Sequence, residues 1–173
     1  MKAISVRQPW AWGIIYSTKD IENRGWPINY RGDILIHAGK KCTKKEYEST
    51  SIFCQSMGVS IPELKSLRRG QVIGVVTIVD CQFSRGNGLE NRAGLLKSRL
   101  SVLSIKLTHE ACPIFSSPNA SQVASGWGVP GQYHWQLENP REITPIPYIG
   151  QLGIFEVPNP VLSLWEKLIP ESF

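Results

Sequence analysis

The sequence QVIGVVTIVDCQF, residues 71–83, decides the fold of this chain. Its nearly continuous run of β-branched and apolar residues predicts a buried strand at the centre of a sheet. Five further segments have the composition or the alternation of strands, at residues 2–6, 21–26, 31–38, 132–137 and 153–157. Helices are expected at residues 10–17, from Thr43 onward, at 60–69 and at 160–168. Strands in this mixed order, with short helices between them, predict one α+β domain built on a small β-barrel.

Short local signals set the expected limits of these elements. Two capping-box signatures predict helix starts, one at Thr43 with Glu46 and one at Ser60 with Glu63. The sequence Asn139-Pro140-Arg141 predicts a rigid surface turn. Segments rich in Ser, Asn, Gly and Pro predict loops, at residues 84–94 and 113–130. Residues 95–107 are compatible with either a helix or a strand.

Length and composition restrict the class of protein. A chain of 173 residues with 42% hydrophobic residues buries about 70% of its unfolded surface without help from a metal or disulfides. No apolar run approaches the roughly 20 residues of a membrane span, and the first residues lack the pattern of a signal peptide. We therefore expect a cytoplasmic protein. Its four cysteines have no metal-ligand spacing, so we expect free thiols, no metal and no organic cofactor.

The positive charge of the chain is concentrated in its first part. Residues 1–100 contain 16 Lys and Arg against 8 Asp and Glu, whereas residues 101–173 contain 3 against 6. Such asymmetry favours an anionic partner, nucleic acid first. A basic run follows the strand at 31–38 and contains Lys40, Lys41, Lys44 and Lys45. These lysines either contact phosphates or form the solvated start of a helix.

The densest set of candidate site residues lies between positions 17 and 26. Lys19, Glu22 and Arg24 form the pattern S-x-K-x-x-E-x-R. On a strand, Glu22, Arg24 and Trp26 share one face, so a carboxylate lies between two cations and beside an aromatic ring. These groups are what a base-and-phosphate site requires: phosphate donors, a stacking face and an acceptor for an exocyclic amine. The alternative is a structural cluster of ion pairs.

Six more residues are candidates for ligand binding. Gln8 and Trp10 precede the first helix, Arg31 and His37 lie on the strand at 31–38, and two aromatic residues follow a Gly- and Pro-rich loop, Trp127 and Tyr133. Each also has a plausible packing role, as a core aromatic, a strand histidine or a surface cation.

Four stretches resemble the ASCH domain, the activating-signal-cointegrator homology domain. They are RQPWAWGII (7–15), STKDIENR (17–24), YRGDILIHAGK (30–40) and LGIFEV (152–157). The most specific element is the family's G-x-K-x-x-E-x-R motif, met by Lys19, Glu22 and Arg24, with Ser17 where the family usually has Gly. The resemblance runs from residue 4 to about 157, apart from segments 40–67 and 113–130, and leaves 158–173 as a C-terminal helical extension.

The resemblance implies a PUA-like β-barrel with short surrounding helices. It also implies a cleft lined by the motif, and RNA, a modified nucleoside or a nucleotide as the ligand. Some small members of this superfamily are amidohydrolases that remove the acetyl group of N4-acetylcytidine with a Lys, a Thr three residues later and a Glu from a later strand. Lys19 meets the first requirement, but Glu22 occupies the position of the Thr.

Three kinds of function therefore stay open. The first is a binding module for RNA or a nucleotide. The second is a hydrolase, either an amidohydrolase or a ribonuclease-like enzyme, in which Lys19 and Glu22 transfer protons. Lys19 would need desolvation to lose its proton near neutral pH, and Glu22 at close range opposes this. The third is a transcription or stress-response partner protein whose cleft is vestigial.

Overall fold

The computed structural model describes residues 1–85 and 125–158. Within these ranges the chain forms six strands and two helices, in the order β1 (Lys2–Val6), α1 (Trp10–Tyr16), β2 (Ile21–Arg24), β3 (Gly32–Ala38), α2 (Lys44–Ser56), β4 (Gln71–Phe83), β5 (Tyr133–Pro147) and β6 (Ile154–Glu156). The predicted loop at 113–130, apart from its last residues, the ambiguous segment 95–107 and the predicted helix at 160–168 lie outside the described residues.

The strands form one curled sheet, a half-barrel, in the order β2-β5-β4-β3-β1-β6. β1 pairs with β3 in parallel, and the other described pairs are antiparallel. β4 lies between β3 and β5, which confirms the central position predicted for residues 71–83. β2 lies at one end of the strand order, while β1 lies near the other end.

The core fills both faces of β4. On one face, Ile73, Val76 and Ile78 pack with Ala11 and Ile14 of α1. Helix α1 comes close to the sheet because position 74 is a glycine. A Cβ atom there would lie 2.5 Å from Ile15 Cδ1 and 2.7 Å from the Arg141 carbonyl oxygen. A second cluster packs on the opposite face, with Leu35, Val72, Val75 and Phe155 among its members.

The predicted turn at Asn139-Pro140-Arg141 is wrong, because β5 continues through it to Pro147. Glu138 pairs with Thr77 and Arg141 pairs with Val75, so the strand accommodates its extra residues as a bulge. Asn139 has φ 49°, a conformation that Asn tolerates. Pro140 has no N–H to donate, and a bulge is one of the places where a sheet accepts proline.

Only one of the two predicted capping boxes starts a helix. Thr43 Oγ1 accepts a hydrogen bond from the Glu46 N–H at 3.2 Å, and Glu46 Oε2 accepts one from the Thr43 N–H at 2.9 Å. The helix predicted at 60–69 is wrong, because the structure has only turns and irregular chain there. Pro62 explains the difference: it disfavours helical geometry at Ile61, the residue that would begin the helix.

Cys42, Cys54 and Cys81 are free thiols, whereas Cys112 lies outside the described residues. In the described part of the chain, neither helix has the length and apolar character needed to cross a membrane. No three His, Cys, Asp or Glu side chains of residues 1–85 and 125–158 come together as a metal site.

Candidate functional site

Lys19, Glu22 and Arg24 form one connected cluster of charges. Lys19 Nζ lies 3.5 Å from Glu22 Oε2, and Arg24 Nε lies 2.9 Å from Glu22 Oε1. The side chains are 3%, 11% and 22% exposed, from Lys19 to Arg24. The two cations thus lie on either side of one carboxylate, as their spacing predicts.

Lys19 is held in a nearly dry environment. Its Nζ donates a hydrogen bond to the Ile21 carbonyl oxygen and lies 5.9 Å from the centre of the Trp10 ring. Burial lowers the pKa of Lys19, and the neighbouring Glu22 carboxylate opposes this shift without reversing it. The amine is therefore more easily deprotonated than a surface lysine.

Arg24 connects β2, at one end of the sheet, with β1, near the other end. Its Nη2 donates a hydrogen bond of 2.9 Å to the Ser5 carbonyl oxygen on β1, although β2 and β1 lie far apart in the strand order. The guanidinium also lies 5.9 Å from the centre of the Trp135 ring. The cluster of charges therefore lies at the open seam of the sheet, where a cleft can form.

The first cavity at this seam is lined by aromatic rings, and we call it the aromatic cavity. It has a volume of about 410 Å³ and is lined by Trp10, Lys19, Glu22, Asn23, Ser49, Thr50, Phe53, Trp127, Val129 and Gln132. Phe53 contacts Trp10 and Trp127 edge to face, with ring centres 5.9 Å and 5.8 Å apart. Among residues 1–85 and 125–158, Lys19 and Glu22 are the only charged groups in its lining.

The second cavity is lined by cations, and we call it the basic cavity. It has a volume of about 630 Å³ and is lined by residues of β1, β2, the end of β3 and the β5–β6 connection: Ser5, Val6, Arg7, Trp10, Glu22, Asn23, Arg24, His37, Gly39, Lys40, Lys41, Ile149, Gly150, Gln151 and Leu152. Four of these side chains are Lys or Arg, and Glu22 is the only carboxylate that the described part of the chain contributes. This lining favours an anion.

The two cavities share a wall made of Trp10, Glu22 and Asn23. We refer to both cavities together as the seam cleft. The cleft brings together six of the residues singled out in the sequence: Trp10, Lys19, Glu22, Arg24, His37 and Trp127.

Four other candidates do not line either cavity. Gln8 is buried below α1, where its Oε1 accepts a hydrogen bond from the Trp12 N–H at 3.0 Å and its Nε2 donates one to the Arg68 carbonyl oxygen at 2.7 Å. Arg31 pairs with Asp80 at 3.0 Å on the protein surface. Both contacts are structural.

Trp26 and Tyr133 are the other two. Strand β2 ends at Arg24, so Trp26 does not continue its face as predicted. The Trp26 ring packs edge to face on Trp135 with centres 4.7 Å apart. Tyr133 packs on Phe83 with ring centres 5.0 Å apart.

Asn23 was not singled out in the sequence, yet it fixes one wall of the cleft. Its Nδ2 donates a hydrogen bond of 2.7 Å to the Trp127 carbonyl oxygen, and its Oδ1 accepts one of 2.8 Å from the Val129 N–H. The amide thereby ties the loop that carries Trp127 to strand β2. No sequence pattern pairs residue 23 with residues so distant in the chain.

Helix α2 contributes three further residues to the aromatic cavity that the sequence did not indicate: Ser49, Thr50 and Phe53. Residues 49 and 53 are four apart, and such residues share one face of a helix. That spacing was readable in the sequence. The side of the sheet on which the helix packs was not.

A model of the ASCH domain family matches residues 4–147, from β1 to the end of β5. The chain belongs to the ASCH domain family. The match spans segments 40–67 and 113–130, both of which the sequence motifs alone leave outside the resemblance. The curled sheet with two helices fits the α+β, PUA-like fold of this family. A comparison with curated proteins found no match.

Proposed function

We propose that this ASCH protein binds RNA or a nucleotide derivative in the seam cleft. One observation carries the proposal: an aromatic cavity and a cationic cavity adjoin across a single wall made of Trp10, Glu22 and Asn23. A nucleotide has a flat base that suits the aromatic cavity and an anionic phosphate that suits the basic cavity.

The aromatic cavity suits the base. Trp10, Phe53 and Trp127 offer ring surfaces, and stacking on such rings contributes about 1–3 kcal/mol per base. Lys19 supplies a hydrogen-bond donor and Glu22 supplies an acceptor. Lys19 Nζ and Glu22 Oε2 lie 3.5 Å apart. A base edge that carries a donor next to an acceptor complements this pair.

The basic cavity suits the phosphate. Arg24, Lys40 and Lys41 line it together with Arg7. Part of the excess positive charge of residues 1–100 therefore lies at the cleft. Binding through such cations releases counterions from the nucleic acid, so it weakens as the salt concentration rises.

Two matched phenylalanines test the aromatic cavity. Phe53 and Phe83 are similarly exposed, at 40% and 49%, but only Phe53 lines the cavity. In calorimetric titrations with a short single-stranded RNA of mixed sequence, we expect Phe53→Ala to weaken binding about tenfold. Phe83→Ala should leave the affinity unchanged. Equal effects of both variants, or no binding by the unmodified protein, would contradict the proposal.

A second candidate function is the hydrolysis of an acylated nucleoside such as N4-acetylcytidine. Two observations favour it: burial lowers the pKa of Lys19, and the hydroxyl residues Ser49 and Thr50 line the same cavity. Lys19 would act as the base that accepts the proton of the nucleophile. A hydroxyl of Ser49 or Thr50, or a water, would serve as nucleophile, because the sequence has Glu22 at the position of the Thr.

The test for this activity is release of cytidine from N4-acetylcytidine. Turnover by the unmodified protein that is lost in Lys19→Ala would make the chain an amidohydrolase. Variants Ser49→Ala and Thr50→Ala would then distinguish a side-chain nucleophile from a water. Absence of turnover in a protein that binds RNA would leave the binding function alone.

A further inference from the structure

A hydrogen-bonded serine and histidine line the basic cavity. The function proposed above assigns no role to either side chain. Ser5 on β1 and His37 on β3 are direct partners in the parallel register. Ser5 Oγ lies 3.1 Å from His37 Nδ1, and His37 Nε2 lies 3.0 Å from the Tyr148 carbonyl oxygen. A carbonyl oxygen only accepts, so Nε2 carries the proton and the neutral ring accepts the Ser5 hydroxyl proton at Nδ1.

The connection between β5 and β6, residues 148–153, passes directly over this pair. A Cβ atom on Gly150 would lie 2.5 Å from Ser5 Oγ and 2.3 Å from His37 Cε1. A larger residue at position 150 would collide with the pair, so glycine lets the connection pass close to both side chains. Ser5, His37 and Gly150 all line the basic cavity, so the pair borders this cavity.

The basic cavity carries more positive charge than the neighbouring carboxylates neutralise. Arg24 is paired with Glu22 at 2.9 Å, and Arg7 is paired with Glu46 at 2.5 Å. Lys40 and Lys41 also line the cavity, and neither forms an ion pair with any carboxylate of the described residues. Two uncompensated lysines beside a neutral histidine match a group with two negative charges.

Resting on the proposed function, we propose that Ser5 and His37 bind a terminal phosphate monoester of the nucleotide ligand and take up a proton with it. The proton comes from solvent and joins His37 Nδ1, which then donates a hydrogen bond instead of accepting one. The Ser5 hydroxyl is released to donate to a phosphate oxygen. No covalent bond forms or breaks. A terminal phosphate carries a charge of about −1.5 to −2 near neutral pH, whereas an internal diester carries a single charge.

The surroundings of His37 give the direction of the pH dependence. Ser5 from β1, the Tyr148 carbonyl and Gly150 from the connection, and the Phe155 ring from β6, centred 6.2 Å away, all face the imidazole. The charged groups of the same cavity are Arg7, Glu22, Arg24, Lys40 and Lys41. Burial and the charge of Lys40 lower the pKa of His37, and the Tyr148 carbonyl partly opposes them.

His37 is therefore neutral in the free protein near neutral pH. A bound dianion offsets the lysine charges and favours the imidazolium form. Binding should therefore become tighter as the pH falls toward about 6.5, the ordinary pKa of histidine. Protonation of the phosphate itself affects all variants equally, so a comparison of variants isolates the contribution of this pair.

The test compares three RNA oligomers of one sequence, with a 5′-phosphate, with a 3′-phosphate and with neither. Titration calorimetry at about pH 6.5, in two buffers of different ionisation enthalpy, gives both the affinity and the protons taken up. We expect one phosphorylated oligomer to bind about tenfold tighter than the unphosphorylated one, with net proton uptake. Ser5→Ala should remove this advantage, and Ser66→Ala, a change at an exposed serine, should retain it.

Gly150→Ala provides a second variant, because its methyl group would collide with Ser5 Oγ and His37 Cε1 and displace the pair. It should remove the phosphate advantage, as Ser5→Ala does. Cytidine monophosphate and cytidine identify the source of the phosphate: the same Ser5-dependent preference for the monophosphate would support a free nucleotide, and its restriction to the oligomers would support an RNA end.

Equal affinities for all three oligomers would overturn this inference and leave the proposed function intact. Retention of the advantage in both Ser5→Ala and Gly150→Ala would overturn it as well. Failure of the unmodified protein to bind any RNA or nucleotide would overturn the proposed function itself.

Discussion

At the scale of single residues, Lys19 is unusual because its ionisable side chain is buried. A lysine whose side chain is 3% exposed loses most of its hydration, and the nearby carboxylate of Glu22 restores only part of that loss. The residue that weakens the fold in this way lies in the wall of the aromatic cavity. A buried ionisable group at a cleft is typical of a functional site.

The burial of Lys19 predicts how stability depends on pH. The pKa of Lys19 is lowered in the folded state from its ordinary value of 10.5, so the unfolded chain binds the proton more tightly. The free energy of unfolding should therefore rise with pH between the lowered folded value and 10.5, by up to about 1.4 kcal/mol per pH unit.

Lys19→Met isolates this contribution. Urea unfolding measured at several alkaline pH values should show a smaller rise for the variant than for the unmodified protein. Parallel pH profiles would show that Lys19 is not desolvated in the folded protein.

The charged motif was predictable at this scale, and its aromatic partner was not. Glu22 and Arg24 alternate on a strand, so their common face follows from spacing alone. Trp26 was expected to extend that face, but β2 ends at Arg24. Trp10 and Trp127 line the cavity instead, and their approach depends on contacts between distant parts of the chain.

At the scale of elements, the position of α1 depends on one glycine in the central strand. The helix carries Trp10 at its first residue and leads directly to Lys19. Its approach to β4 leaves no room for a side chain at position 74, where Ile15 and the Arg141 carbonyl already meet.

Gly74→Ala should therefore be strongly destabilising. A Cβ at 2.5 Å from Ile15 requires the helix or strand to shift, and such overpacking costs about 1–3 kcal/mol. Gly25→Ala is the matched control, because a Cβ at Gly25 meets nothing within 4 Å. Urea unfolding should show the loss for position 74 only. Equal midpoints for the two variants would mean that α1 does not pack against β4 in this way.

The elements also show where sequence signals suffice. β4 was predictable because its apolar run is long, and α2 because Thr43 and Glu46 form a complete capping box. The same signature at Ser60 failed because of the proline two residues later. Asn139 and Pro140 usually end a strand, but pairing with β4 continues on both sides of them. In each failure, one local signal was outweighed by another or by tertiary pairing.

At the scale of the whole molecule, the cleft lies where the six described strands leave the half-barrel open. Arg24 on β2 reaches Ser5 on β1 across the seam, and the two cavities lie on either side of this region. The sequence indicated the fold class and the strands. It did not indicate the seam, because the strand order depends on pairing between segments far apart in the chain.

The basic run after β3 divides between the cleft and the surface. Lys40 and Lys41 line the basic cavity, whereas Lys44 and Lys45 begin α2 outside it. Replacing Lys40 and Lys41 by Ala should weaken RNA binding for all sequences. It should also reduce the slope of log affinity against log salt by about 1.4, since each phosphate contact on a single strand contributes roughly 0.7.

The double variant K44A/K45A is the matched control for charge. The sequence alone made these two lysines candidates for the same role, but the structure places them outside the cavity. Their replacement should change the salt slope less than replacement of Lys40 and Lys41. The reverse order would place the phosphate path along α2 instead of the seam.

The most direct test of the seam cleft is a nuclear magnetic resonance titration that follows the tryptophan indole N–H signals. With single Trp→Phe variants to assign the signals, a short single-stranded RNA or nucleotide should shift those of Trp10 and Trp127, which line the aromatic cavity. The signals of Trp12 and Trp26, outside both cavities, should stay in place. Shifts at Trp26 with none at Trp10 and Trp127 would contradict a ligand in the seam cleft.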